Sequence, residues 1–407
     1  MSITDPLTPA DRAACIAFLR DLVRIPSPSS QERALAQRLA EEMEKAGFAE
    51  VRIDRVGNVI GRVGVGRPDR LLVFNGHMDH VGISDPTAWK HDPFGAEIEN
   101  GFLFGRGAVD MKGALAAMVY GAKLLRESKV RLPGELYVVG VVQEEPTEGV
   151  AMRWLVEEEG LRPDYVVLGE PTNLQISRGQ RGRVEIRVTI YGRSCHASMP
   201  DLGENAIYAA ARVIFGVELL ADQLTVNDQV LGSGSLAVTH IESQAGSRNV
   251  IPDRCTFVID RRLTLGETEA RALAEVQQVV HREGVRAEVV VPEFEVTSYT
   301  GQRLRGREYY PAWLMREDHP MIKAAQRAVE RALGVRPRLS TWAFSTDGVY
   351  TMGEAGIPTI GFGPGEERYA HTADECIRVD DVIQAARAYA SIAQEILTLN
   401  QNHPWNT

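Results

Sequence analysis

Three side chains that commonly bind metals follow two short apolar runs early in the chain. Residues 71–74 precede His77 and Asp79, and residues 102–104 precede Asp110. A glycine-containing turn separates each apolar run from these polar residues. In a His-x-Asp sequence the carboxylate can accept the imidazole N–H that faces away from a metal, which fixes the histidine tautomer. The pattern therefore predicts that two strands deliver ligands to one metal site.

The same arrangement recurs after three further apolar runs, at residues 135–142, 165–168 and 359–362. Together the five runs predict ligands just past the strand ends: His77, Asp110, Glu145, Glu170 and His371. Imidazole and carboxylate ligands without thiolates suit zinc, cobalt or manganese better than a structural zinc site. One carboxylate can bridge two cations, which gives each ion three protein ligands and leaves room for a shared water.

The adjacent acids Glu144 and Glu145 indicate catalysis. Adjacent acids repel each other, and such a pair at the end of an apolar strand is unusual in a core. One can bind metal while the other takes a proton from metal-bound water, whose pKa falls to roughly 7 on zinc. The alternative is a solvated helix entry before Pro146. Four further ligand-type residues after strand ends favour the catalytic interpretation.

Composition excludes several classes of protein. The chain has 407 residues and a net charge of −10, and its basic clusters are short, which argues against a nucleic-acid partner. Four cysteines without a C-x-x-C spacing suit a reducing cytoplasm. We find no signal-peptide pattern and no apolar run of about 18 residues, so we expect neither secretion nor membrane insertion.

The order of the predicted elements indicates two domains. Strands and helices alternate through residues 1–181, which predicts an α/β fold with a mostly parallel sheet. Residues 182–298 read as β-α-β-β-α-β, the ferredoxin-like order, and we interpret them as an inserted domain. The α/β pattern resumes over residues 299–407. The ligand-type residues fall where open α/β sheets bind ligands, at the carboxyl ends of strands.

Several motifs together resemble one enzyme family. The sequence is similar to the di-metal aminoacylase and carboxypeptidase family, which includes acetylornithine deacetylase and succinyl-diaminopimelate desuccinylase. The tracts RGQRGRVEIRV and WAFSTDGVYTMG most resemble a branch of uncharacterised hydrolases linked to selenium metabolism. The family resemblance covers nearly the whole chain and rests on these motifs: GHMDHV at 76–81, GRGAVDMKG at 105–113, QEE at 143–145, GEPT at 169–172, SCHASMP at 194–200, SRNVIPD at 247–253, DRR at 260–262 and GPGEERYAHTADE at 363–375.

The resemblance implies a role for each ligand and a fold for the whole. It implies an aminopeptidase-like di-zinc catalytic domain with an inserted dimerisation and lid domain. His77 and Glu170 would hold one metal ion. Glu145 and His371 would hold a second, with Asp110 bridging the two.

The resemblance also assigns the groups around the metal ions. Asp79 would orient the imidazole of His77, and Glu144 would be the general base. The family usually has a cis peptide after the bridging aspartate, here between Asp110 and Met111. His196 would reach the partner subunit's site and donate to the oxyanion of the tetrahedral intermediate.

Substrate-binding residues follow from the same motifs. Asn249 and Arg262 match residues that hold a substrate carboxylate, which an arginine fork binds bidentately. Arg261 is the adjacent alternative, but strand alternation sends only one of the two inward. Ser345 and Thr346 lie in a segment that resembles the family's substrate-closing loop, although a plain turn is equally compatible with this stretch.

The predicted function is metal-dependent hydrolysis of the amide bond of N-acyl-L-amino acids. A metallo-exopeptidase, either a carboxypeptidase or a dipeptidase, is the alternative within the enzyme class. A catalytically silent ligand-binding relative is the alternative outside it, but such a relative should have lost Glu144 or a ligand, and none is missing. We expect a cytoplasmic homodimer with two divalent ions, zinc foremost, acting on small molecules or short peptides.

Overall fold

The structure is a computed structural model that describes residues 7–67 and 69–399. Residues 1–6, 68 and 400–407 lie outside the described part, so both ends of the chain and one residue of the predicted segment 1–181 are not described. The helices in the described ranges are α1 (Pro9–Arg24), α2 (Arg33–Lys45), α3 (Gly113–Glu127), α4 (Val150–Glu157), α5 (Ala206–Ala221), α6 (Glu269–Glu283), α7 (Pro320–Leu333) and α8 (Val379–Leu397). The strands are β1 (Glu50–Ile53), β2 (Val59–Arg62), β3 (Leu71–His77), β4 (Glu97–Glu99), β5 (Phe102–Phe104), β6 (Glu135–Val141), β7 (Tyr165–Leu168), β8 (Ile176–Gln180), β9 (Gly182–Tyr191), β10 (Asn227–Asp228), β11 (Gly232–Ser233), β12 (Ser235–Gln244), β13 (Arg254–Leu263), β14 (Ala287–Val290), β15 (Glu293–Thr297), β16 (Arg303–Arg307), β17 (Tyr309–Tyr310), β18 (Trp313–Leu314), β19 (Leu339–Trp342), β20 (Thr359–Gly361) and β21 (Cys376–Arg378).

A nine-stranded sheet carries the site-bearing strands. Its order is β1-β2-β6-β3-β7-β20-β8-β18, and β19 pairs with β8. Strands β6, β3, β7 and β20 run parallel, whereas β2 and β8 flank them in the antiparallel direction. The parallel strands are apolar runs because they are buried on both faces. Their carboxyl ends therefore share one edge of the sheet.

Helices pack around this sheet and confirm the predicted α/β class. Helices α3 and α8 pack on β3 and on each other, and α2 packs on β1 and β2. Helix α1 begins with a Thr8 cap whose side chain accepts the N–H of Asp11, followed by proline in its first turn. None of the helices in the described ranges is long and apolar enough to cross a bilayer.

A second sheet forms the inserted unit and has its own core. Its order is β12-β13-β9-β14, which is the ferredoxin-like arrangement, and α5 and α6 pack against it. Alternate residues of β9 are buried, including Val184, Ile186 and Val188, and pack with Phe257 and Ile259 of β13. This apolar set is separate from the core of the larger sheet.

After β14 the chain packs against the larger core, returns to the smaller sheet and then rejoins the larger sheet, so its contacts alternate on either side of residue 298. The hairpin β15–β16 lies on the catalytic side, because Phe294 and Val296 pack against the larger core. Tyr299 donates a hydrogen bond to the carbonyl of Gly57 at 3.0 Å. The chain then goes back to the inserted sheet, where Tyr309 and Tyr310 pair with β9. Sequence spacing did not reveal this excursion, because β17 has only two residues.

Truncating the core beneath the site tests this packing. Phe74 is fully buried in β3, with its ring centroid 5.0 Å from that of Tyr389. We expect Phe74→Ala to lower the free energy of unfolding by about 3–5 kcal/mol, because it removes buried area and leaves a cavity. Denaturant unfolding followed by circular dichroism measures the change. The exposed control Val335→Ala should change it by less than about 0.5 kcal/mol, and equal effects would contradict the packing role.

Candidate metal centre and active site

Five predicted ligands converge at the shared edge of the sheet. His77 is the last residue of β3, Glu145 follows β6, and Glu170 follows β7. Asp110 lies in the short helical segment Ala108–Lys112, and His371 lies in the loop before β21. All except His371 are buried or half-buried. The convergence follows from strand direction, because parallel strands present their carboxyl ends together.

Asp110 lies between two histidines. Its Oδ1 is 2.9 Å from Nε2 of His77, and its Oδ2 is 3.1 Å from Nε2 of His371. Glu145 is 3.2 Å from His371, and Glu170 is 3.9 Å from His77. The groups of three in the described ranges whose ligand atoms all lie within 4.8 Å of one another are His77 with Asp110 and Glu145, and His77 with Glu144 and Glu170. This grouping differs from the one that the resemblance implies, because it places Glu144 among the possible ligands.

The charges of the cluster also fit a metal centre. Burial, reinforced by repulsion from Asp110, raises the pKa of Glu170 well above its usual range. At Asp110 burial is outweighed by hydrogen bonds from His371 and His77, and its pKa is lowered. Hydrogen bonds to Asp110 and Glu145 raise the pKa of His371 to about 10. The carboxylates therefore depend on positive charge nearby, which divalent ions can supply in place of protons.

Glu144 lines the same space as these ligands, and one of its carboxylate oxygens is unpaired. Its side chain is buried, and its Oε1 has no hydrogen-bond partner in the described part of the chain. Burial raises the pKa of this carboxyl well above its usual range, and the negative charge of Glu170 adds to the effect. An unpaired buried carboxylate is costly unless a ligand satisfies it. A carboxylate oxygen of Glu144 lies within 4.8 Å of the ligand atoms of His77 and Glu170.

Four of the five predicted ligands, all except His77, line a cavity of about 330 Å³. Its lining combines acids that follow strands of the larger sheet with two arginines of the smaller sheet. The lining residues are Asp110, Glu144, Glu145, Glu148, Glu170, Arg183, Arg262, Phe344, Ser345, Glu367, Ala370 and His371. A space of this size holds a small molecule or the end of a peptide.

Comparison with known proteins decides the family. The model of peptidase family M20/M25/M40 matches residues 73–395. The chain belongs to this family. Membership confirms the predicted resemblance and makes the protein a hydrolase of amide or peptide bonds. The narrower likeness to a selenium-linked branch stays a prediction.

Individual relatives align with this M20 enzyme over nearly its whole length. The uncharacterized protein YgeY of Escherichia coli strain K12 is 40% identical over 92% of both chains. Succinyl-diaminopimelate desuccinylase 2 of a Ruegeria species is 28% identical over 93% of this chain and 94% of its own. The M20 metallo-carboxypeptidase Sso-CP2 of Sulfolobus solfataricus superposes with a TM-score of 0.72 at 18% identity, covering 96% of this chain and 99% of its own. This last similarity supports the fold.

Asp79 contacts its neighbours through both its carboxylate and its backbone carbonyl. Nδ1 of His77 lies 3.0 Å from the backbone carbonyl of Asp79, whereas the nearest carboxylate oxygen is 3.7 Å away. The carboxylate accepts the N–H groups of Glu144 and Glu145 at 3.1 and 3.2 Å and the hydroxyl of Ser29 at 2.7 Å. The sequence prediction placed the carboxylate on the imidazole. The turn after β3 instead brings the Asp79 carbonyl to that nitrogen.

Other predicted site residues fall into three groups. Arg262 and Ser345 line the cavity. Thr346 is fully buried behind the wall, where its hydroxyl donates to Oε1 of Gln180 at 2.6 Å. His196 and Asn249 are exposed on the inserted unit and do not line the cavity.

The neighbouring arginine, Arg261, points away from the cavity. Its side chain is 1% exposed and pairs with Glu267 and Glu275. The two adjacent arginines therefore face opposite sides of β13, as strand alternation requires.

A buried ion pair between Arg106 and Glu375 lies behind Asp110 and was not predicted from the sequence. Glu375 accepts the N–H groups of Val109 and Asp110 at 2.9 and 3.2 Å and pairs with Arg106 at 2.6 Å. The peptide between Asp110 and Met111 is cis, as the resemblance implies. Arg106 and Glu375 both occur in the quoted motifs, but they are 269 positions apart, and spacing gave no signal of their contact.

The contacts of Asp79 can be tested through metal affinity. Asp79→Asn replaces one carboxylate oxygen, which accepts a backbone N–H, with an amide NH2, which cannot accept one. Because these contacts hold the loop that carries Glu144 and Glu145, we expect zinc affinity to fall by about 10- to 100-fold. Competition with a zinc chelator measures this. The control Ser29→Ala removes one donor and leaves the carboxylate on Glu144 and Glu145, so its effect should be much smaller. Equal losses in the two variants would show that these backbone contacts do not position the ligands.

Proposed function

We propose that this M20 enzyme hydrolyses the amide bond of N-acyl-L-amino acids, as deacetylases and desuccinylases do. The observation that carries the proposal is Asp110, shared between two histidines, with the free Oε1 of Glu144 in the same cavity. A metallo-exopeptidase is the alternative, since the cavity would also admit the end of a peptide. Every ligand and the base are present, which argues against a silent binding protein.

The donor set supports two divalent ions, with zinc as the first choice and cobalt or manganese as alternatives. His77, Asp110 and Glu170 would hold one ion, and Asp110, Glu145 and His371 the other. Such ions, when bound, lower the pKa of water and polarise the scissile carbonyl. Glu144 takes the proton of the attacking water and passes it to the leaving nitrogen.

We further propose a homodimer formed through the inserted domain, with His196 completing the partner's site. Tyr208 and Phe215 on α5 are 69% and 59% exposed, and such apolar surface supports a protein contact. His196 is itself exposed, with its Nδ1 2.6 Å from the hydroxyl of Ser198. A cytoplasmic location is supported by the cysteines, all four of which are free.

A hydrolysis screen tests the proposed activity. N-acetyl, N-succinyl and N-carbamoyl amino acids and dipeptides are incubated with the enzyme and added zinc, cobalt or manganese. We expect an N-acyl amino acid to be cleaved, about two ions to be bound per chain, and chelators to abolish turnover. Preferential cleavage of dipeptides would favour the exopeptidase alternative.

The matched variant for this screen is Glu144→Gln, which keeps the shape and removes the base. We expect metal content to survive while turnover falls by about 100-fold or more. Metal analysis and initial rates separate the two effects. Near-normal turnover would assign the proton transfer to another group.

Mixing two inactive variants tests the role of His196. His196→Ala and Glu144→Gln homodimers should each be nearly inactive. A heterodimer has one site with Glu144 intact and His196 supplied by the other chain, so activity should return to about half of the wild-type value per dimer. If heterodimers form, as shown by tagged copies, and activity does not return, His196 does not act across the dimer.

A further inference from the structure

The two adjacent glutamates lie in a turn whose backbone N–H groups are all held. The N–H of Gln143 donates to Oε1 of Glu32 at 3.2 Å. Those of Glu144 and Glu145 donate to the two oxygens of Asp79 at 3.1 and 3.2 Å. Glu32 and Asp79 are fully buried. Two buried carboxylates therefore fix three consecutive backbone donors of this segment, residues 143–145, which we call the glutamate turn.

Gln143 begins the glutamate turn in a left-handed conformation, with φ of 59°. Such a conformation costs a residue other than glycine free energy and persists only where surrounding contacts hold it. The side chain supplies such contacts, because the residue is 1% exposed and its Nε2 donates to the hydroxyl oxygen of Ser30 at 2.6 Å and to the carbonyl of Thr297 at 3.4 Å. An amide NH2 has two N–H donors, so one nitrogen serves both acceptors.

The first acceptor lies in the loop between α1 and α2. The N–H of Ser30 donates to Oε1 of Glu32 at 3.2 Å, the same oxygen that accepts the N–H of Gln143. The hydroxyl of Ser29 donates to Asp79 at 2.7 Å. Three residues of one loop thus contact either the glutamate turn or the carboxylate that holds it.

The second acceptor lies in the hairpin β15–β16, where Thr297 is the last residue of β15. Beyond it, the hydroxyls of Tyr299 and Thr300 donate to backbone carbonyls of the β1–β2 turn at 3.0 and 2.8 Å. The hairpin is also the segment that packs on the larger core after the chain leaves β14. Gln143 therefore joins the glutamate turn to two segments that are distant in sequence and fastened to the larger core.

We propose that Gln143 is a positioning residue for Glu144, because its amide ties the glutamate turn to Ser30 and Thr297 and so sets the direction of the Glu144 carboxylate. Oε1 of Glu144 has no hydrogen-bond partner among the described residues, so this direction depends on the backbone that carries it. Gln143 itself does not line the cavity. The inference rests on the proposed function, in which Glu144 is the general base, and adds a residue that acts only through it.

Gln143→Met tests the proposal, because it keeps the length of the side chain and removes both donors. Proton transfer needs donor and acceptor within about 2.6–3.2 Å of each other. We therefore expect kcat for the substrate cleaved fastest in the screen to fall by about tenfold or more. KM should change by less than about twofold, because loss of an interaction made only in the transition state lowers kcat and kcat/KM equally. Metal analysis should still find about two ions per chain.

The matched control is Tyr120→Phe. The hydroxyl of Tyr120 donates to Glu42 at 2.6 Å, so this buried hydrogen bond is as short as that between Gln143 and Ser30, but it joins α3 to α2 rather than the glutamate turn to its neighbours. Its removal should leave kcat and KM within about twofold of the wild-type values. A loss of kcat as large as in Gln143→Met would show a general effect of weakened packing and overturn the proposal.

Double variants test whether Gln143 acts through Glu144. The base is absent in Glu144→Gln, so adding Gln143→Met should lower the residual kcat by less than about twofold. Ser30→Ala already removes part of the tie, so Gln143→Met should cost less in that background than in the wild type. Ser30→Ala alone should lower kcat by about threefold at unchanged KM, and it serves if Gln143→Met does not fold.

Hydrogen exchange gives a measurement that needs no turnover. In the zinc-loaded protein, peptides covering residues 143–149 and 293–302 should exchange about tenfold faster in Gln143→Met and at the wild-type rate in Tyr120→Phe, because the tie protects the backbone amides on both sides of it. Failure of the proposed function is distinct, since it appears as no cleavage in the screen or as near-normal turnover in Glu144→Gln, while exchange still reports on the tie.

Four other results would overturn the positioning role. Unchanged exchange in Gln143→Met would show that the amide does not hold the turn. A rise in KM at constant kcat would assign Gln143 to substrate binding. Loss of bound metal would place its effect on Glu145. The full loss of rate in the Glu144→Gln background would show that Gln143 acts on another group.

Discussion

A single buried carboxylate organises the site, because each oxygen of Asp110 faces a different imidazole. Around it the carboxylates of Glu145 and Glu170 are largely buried. Several ionised carboxylates cannot stay close together in such a place unless positive charge compensates them. The sheet and its loops thus maintain a cluster of acidic groups whose negative charge is compensated either by protons or by bound cations. The same requirement explains why Arg106 lies behind the cluster, paired with Glu375.

Local backbone geometry brings these groups together. Gln143, just before the two glutamates, and His371 both adopt left-handed conformations, with φ of 59° and 60°. Such conformations cost non-glycine residues about 1 kcal/mol or more and tend to occur at functional sites. Gly363 lies so close to the Gly169–Glu170 backbone that a Cβ there would be 2.3 Å from a carbonyl oxygen. The loop that carries His371 is thereby held against the strand end that carries Glu170.

Sequence reasoning predicted that the five ligand-type residues would lie together because ends of parallel strands meet at one edge, and a ligand-type residue after each apolar run marks that edge. The resemblance pointed to Arg262, and alternation along the strand allowed only one of Arg261 and Arg262 to face the cavity, since it depends only on local geometry. Contacts between residues far apart in the sequence leave no comparable pattern in it. The register that puts Arg183 opposite Arg262 depends on the pairing of β9 with β13. Thr346 was expected to meet substrate, but burial of its loop turns its hydroxyl towards Gln180.

The path of the chain after β14 has a consequence for protein engineering. The strand Tyr309–Tyr310 completes the inserted sheet after the chain has visited the catalytic core through Phe294 and Val296. An inserted unit excised at residues 182–298 would lose an edge strand and expose Val184 and Arg183 along β9. A chimera that exchanges this unit between relatives should therefore transfer residues 182–310 as one piece. The hairpin then travels with the unit, and the surface of the larger core that it covers has to be matched in the recipient.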